Sequence, residues 1–124
     1  MADNKDYVTH PDEKGSINIS EDVIAIIASA AVNEVDGVAS LSSGLGSDIA
    51  EKFGKRNPAK GIKLNVSDMS VTVEAYILVK YGFAVNEVAK AVQASVVNAV
   101  ESMTGLLVPV VNVHVCGIAF DKEK

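Results

Sequence analysis

Residues 71–80 constrain the fold more than any other part of the chain. Val71, Val73, Ala75, Ile77 and Val79 occupy one side of a period-two pattern, and Thr72, Glu74, Tyr76, Leu78 and Lys80 the other. Successive side chains of a strand point to opposite faces, so this alternation describes a strand with one buried face. Just upstream, Ile62, Leu64 and Val66 alternate with Lys63 and Asn65, and Ser67-Asp68-Met69-Ser70 reads as a turn. The two runs together predict an antiparallel hairpin.

Helical periodicity flanks the hairpin. Ser20 is a suitable N-cap, and Glu21 and Asp22 suit the positive end of a helix dipole. Across residues 23–35, Val23, Ile24, Ile26, Ile27, Ala28, Ala30, Ala31 and Val35 cover more than one stripe, and Gly37 ends the segment. A helix apolar this far round is sandwiched on two sides or docks on another chain, and the first arrangement is expected. Residues 38–41 read as a short strand. A second helix is predicted over 86–103, with Val85, Val88, Ala89, Val92, Val96, Ala99 and Met103 on its apolar face and Gly105 as its stop. The last strand, within 106–120, turns Val111, Val113 and Val115 inward and Asn112, His114 and Cys116 outward, with Pro109 near its start.

This order implies an α+β fold: a small mixed sheet of about four strands with two helices packed on one face. Residues 1–14 are polar, contain Pro11 and lack periodicity, which predicts a flexible N-terminal arm. Residues 15–120 form the single α+β domain, in which Ile17 and Ile19 suggest a few strand residues at a sheet edge. Residues 121–124 are a C-terminal tail. The Gly-, Ser- and Pro-containing connection from 42 to 61 is long, with a helical turn expected at 48–53.

Composition narrows the function classes. The chain of 124 residues is 48% apolar and carries a net charge of −5. It has no apolar run of about 18 residues and no apolar signal region at its start, which predicts neither a membrane-spanning nor a Sec-exported chain. The single Cys116 excludes an internal disulfide and agrees with a reducing, cytoplasmic setting. Charge is uneven: residues 1–51 carry −8, residues 52–63 carry +5 and residues 64–124 carry −2. The basic loop holds Lys52, Lys55, Arg56, Lys60 and Lys63, which are candidate partner-binding residues. Tyr76 and His114, on the polar face of the sheet, are candidates as well.

No catalytic constellation emerges. His114 and Cys116 share a strand face, but a structural zinc site uses four ligands and a catalytic one three. A Cys nucleophile would need an oriented base, and no orienting acid is evident. Gly44-Leu45-Gly46 lacks the rest of a dinucleotide fingerprint, and no Walker, G-x-S-x-G or H-E-x-x-H pattern occurs. Catalytic residues, metal and cofactor are therefore all expected to be absent. Nucleic-acid binding through loop 52–63 is the alternative function. The acidic balance and the absence of a stacking platform of aromatic residues count against it.

Several ordered segments carry a family resemblance. These are Asn33-Glu34-Val35-Asp36-Gly37-Val38, Glu51-Lys52-Phe53-Gly54-Lys55-Arg56 with Lys60-Gly61-Ile62-Lys63, and Tyr81-Gly82 before Glu87-Val88-Ala89. Val100-Glu101-Ser102-Met103-Thr104-Gly105-Leu106 and Val111-Asn112-Val113-His114-Val115 complete the series. From about residue 15 to 120 the chain resembles the alkaline shock protein, or envelope stress response, family of Gram-positive bacteria. The resemblance implies a non-enzymatic cytoplasmic protein, structural or regulatory, that self-associates as a homo-oligomer. It further implies docking on protein partners, including a membrane-anchor protein at the inner face of the membrane, without direct membrane insertion. One branch is linked to control of fatty-acid synthesis.

Overall fold

A computed structural model describes residues 7–42 and 61–120. The chain begins with a hairpin of β1 (Tyr7–Asp12) and β2 (Gly15–Ser20), followed by α1 (Glu21–Asn33) and β3 (Val38–Leu41). Next come β4 (Ile62–Ser67), β5 (Ser70–Lys80), α2 (Val85–Thr104) and β6 (Leu107–Ala119).

β5 is the hub of a mixed four-stranded sheet. β4 pairs antiparallel with its first part, from Ser67↔Ser70 to Ile62↔Ala75, and β3 pairs antiparallel with Ile77–Val79 on the same side. β6 runs parallel along its other side, from Ser70↔Leu107 to Lys80↔Ala119. A parallel neighbour requires a crossover, which α2 provides. The expected α+β fold is the observed one, with a mixed sheet of four strands and two helices among the described residues.

The period-two pattern decides which side of the sheet the helices cover. Val71, Val73, Ala75, Ile77 and Val79 are all fully buried. Against them pack Ile24, Ile27, Ala28, Ala31 and Val32 of α1 and Val88, Val92, Val96 and Val100 of α2. The valines of α2 have modest helix propensity, so burial at this face is what holds them in a helix. Ser20 Oγ accepts from the N–H groups of Asp22 and Val23 at 3.1 and 3.4 Å, capping α1. Gly105, at φ 78°, ends α2 by donating its N–H to Glu101 O at 2.9 Å.

Four expectations are corrected. The stretch read as a flexible arm contains β1, which pairs with β2 through Tyr7↔Ser20 to Asp12↔Gly15. Periodicity missed it because Val8 is its one buried apolar residue; Asp12 Oδ1 and a Thr9–Asn18 side-chain bond support it locally. β2 accordingly pairs with β1 rather than extending the main sheet. On α2, Val85 and Met103 are exposed and Val100 is buried instead, because the terminal turns overhang the sheet. On α1, Val23 and Ile26 are exposed, so among the described residues the helix is covered on one side only.

Candidate functional site

The open face of the sheet is built by the even-numbered residues of β5 and their β6 partners. Register places Glu74 beside Asn112 and Tyr76 beside His114. The parallel pairing thereby brings together residues 38 positions apart, around the Glu74 carboxylate. His114 Nε2 lies 3.1 Å from Glu74 Oε1, and as the carboxylate can only accept, the imidazole carries its proton on Nε2. Tyr76 OH donates to the same oxygen at 3.3 Å, and Asn112 Nδ2 donates to Oε2 at 3.4 Å. These bonds, led by that from His114, hold the Glu74 carboxyl below its ordinary value against a smaller opposing effect of desolvation. Desolvation and the neighbouring Glu74 charge push the Tyr76 phenol up.

The Tyr76 and His114 rings stack with centroids 4.5 Å apart and planes 16° from parallel. Lys63 Nζ lies 5.6 Å from the Tyr76 centroid, within cation–π range. Three of the expected partner-binding residues, Lys63, Tyr76 and His114, therefore converge on one face. Lys52, Lys55, Arg56, Lys60 and the helical turn expected at 48–53 lie outside the described residues.

Cys116 is exposed on β6, at a break in register between Ile77↔Val115 and Leu78↔Gly117. Its Sγ approaches His114 O at 3.7 Å, while the His114 ring turns to Glu74. The two side chains thus do not form a nucleophile–base pair. No group of three or more His, Cys, Asp or Glu able to hold a metal occurs among the described residues.

A second feature lies where β5 and β6 end. Tyr81 and Phe120 stack at 4.8 Å, and with Phe83, Lys80, Ala39 and Ala119 they line an open groove of about 480 Å³. Tyr81 and Phe120 remain 69% and 64% exposed. In the sequence Tyr81-Gly82 stands only as one of the segments that carry the family resemblance. The missed signal was an aromatic residue just beyond each of two strands that a parallel register would align. None of the five described Tyr and Phe side chains belongs to the buried core, which consists entirely of Val, Ile, Leu and Ala. The rings thus lie at the surface, outside a core built of aliphatic side chains alone.

The fold and this surface stand beside a family match covering nearly all the domain. Residues 9–120 match the alkaline shock protein 23 family, whose description is a cell envelope-related function. The chain belongs to that family. Among its relatives, the uncharacterized protein YqhY of Bacillus subtilis is 36% identical over 109 residues, covering 88% of this chain and 81% of the relative. The uncharacterized protein Spy1614 of Streptococcus pyogenes is 33% identical over 106 residues, covering 84% and 88%. YloU of B. subtilis, likewise uncharacterized, is 32% identical with the same coverage. No solved structure matches. The family has relatives in Bacillus and Streptococcus, in keeping with the Gram-positive resemblance. No helix among the described residues is long and apolar enough to cross a membrane.

Proposed function

We propose that this family member is a non-enzymatic interaction module that self-associates and docks protein partners at the cell envelope. The observation that carries the reading is the placement of its aromatic residues: every described ring is outside the core, and the two stacked pairs lie along β5 and β6. Exposed rings backed by a rigid sheet supply large contact area at low entropic cost, the property of interface hot spots. The His114–Glu74 contact ties the imidazole to a carboxylate, which supports a positioning role for it. The family resemblance extends the proposal to a cytoplasmic location, a membrane-anchor partner and a link to control of fatty-acid synthesis. Nucleic-acid binding finds less support, because the Tyr76–His114 platform has the Glu74 carboxylate at its centre, which repels phosphate.

The test is affinity capture from native lysate with the wild type and two double variants, Tyr81→Ser/Phe120→Ser and Tyr76→Ser/His114→Ser. Each is first shown by thermal melting to be folded. The proposal expects specific proteins held by the wild type to be lost from at least one variant. Identical captured sets from all three would remove both aromatic pairs from the interface and overturn it.

A further inference from the structure

The side edge of β6 offers a definite mode of self-association. Among the described residues β6 pairs with β5 alone, leaving its other edge without a strand neighbour. Its 13 residues, LVPVVNVHVCGIA, include no Asp, Glu, Lys or Arg. A long sheet edge recruits another strand through its unpaired N–H and C=O groups, and proteins ordinarily blunt such edges with charges, prolines or bulges. Here the blunting is confined to the two ends. Pro109 lies near the start, and the register break leaves Cys116 as an extra residue near the finish.

Side chains of α2 cover only the first stretch. Glu101 Oε2 accepts from Val108 N at 2.9 Å, and Gln93 Nε2 donates to Val111 O at 3.0 Å. Held by a helix side chain, Val111 O faces away from β5. Alternation along a strand then turns the polar backbone groups of Val113 and Val115 the same way. From Val110 to Val115 the register with β5 is unbroken, so this segment is straight and extended.

We propose that this edge pairs antiparallel with the β6 edge of a second copy, about a twofold axis near Val113, fusing two four-stranded sheets into one. The inference rests on the self-association part of the proposed function. Pairing about that axis sets Val111 of one copy opposite Val115 of the other, and Asn112 opposite His114. Side-chain parity is thereby preserved, with valines meeting on the helix side and neutral polar groups on the open side. The chain carries a net charge of −5, but β6 itself contributes no carboxylate to the paired edge, and the Glu74 carboxylate on β5 is held by Asn112 and His114 of its own copy. Val113 and Val115 are only partly buried, whereas the inward residues of β5 are fully buried. A second copy continues the valine row and covers them.

The experiment combines sedimentation across a wide concentration range with residue-resolved amide hydrogen exchange. A dimer is expected to form with concentration, and exchange at Val113 and Val115 to slow as it does. Asn112→Lys together with His114→Lys sets like charges opposite each other across the axis. The pair of substitutions should weaken the dimer by about fivefold or more at low salt, with recovery at high salt. A dimer whose Val113 and Val115 amides exchange as in the monomer overturns the edge assignment and leaves self-association standing. A monomer at every concentration overturns both. Protection that requires a different protein assigns the edge to that protein and overturns self-pairing.

Discussion

Two residues bear local chemistry that can be tested singly. Glu74 sits at the centre of three side-chain hydrogen bonds, and its carboxyl is held below the unfolded value. A depressed carboxyl contributes stability above the ordinary carboxylate value, and that contribution is lost as pH falls through the folded value. Because the side chain is 36% exposed, the contribution is small, about 1 kcal/mol or less. Glu74→Gln should therefore be slightly less stable than wild type at neutral pH, with the gap closing in acid. Chemical denaturation across that range checks it, and a gap that stays constant would assign the effect to packing instead. Gly37 is the second case. At φ 97°, it lies where a built Cβ would approach Val88 Cγ2 to 2.6 Å and Phe83 Cδ2 to 2.8 Å. Gly37→Ala combines an unfavourable backbone conformation with that crowding and should cost about 1–3 kcal/mol, read as a lower Tm. The sequence marked Gly37 as a helix stop, but only the packed helices show that the position is closed to any side chain.

At the scale of elements, the division of α2 into covered and overhanging positions is the useful contrast. Val96, fully buried on α2, should lose about 2 kcal/mol on truncation to Ala, combining lost transfer energy with the cavity left behind. Met103, 69% exposed, should change by less than about 0.5 kcal/mol in the same experiment, although the helical pattern placed both on one face. Equal losses would contradict the packing described. Ser20→Ala removes the acceptor for two N–H groups at the start of α1 and should cost about 1 kcal/mol, measurable by urea denaturation. The long alternation of β5 was legible because its entire inward side is buried. β1 was not, because a peripheral hairpin anchored by Val8 has too little apolar surface to leave a pattern.

On the scale of the molecule, the arrangement separates support from recognition. Both helices protect one face of β5, while the opposite face and the end of the sheet carry the exposed rings. Changes at Tyr81 and Phe120 should accordingly alter binding with little effect on melting temperature; a large fall in Tm would show that the rings serve packing after all. By itself the sequence determined the elements of the main sheet, the helices, the buried side of β5 and the family, since these follow from local periodicity, caps and motif order. It also identified Tyr76 and His114 as residues of one open face. Tertiary structure alone decided that His114 hydrogen-bonds Glu74, that Tyr81 meets Phe120, and that, among the described residues, β6 has one edge without a strand neighbour. Each of these depends on the parallel register of β5 and β6, two strands separated by a helix. Periodicity specifies which face a side chain occupies but carries no information on how far one strand slides along another.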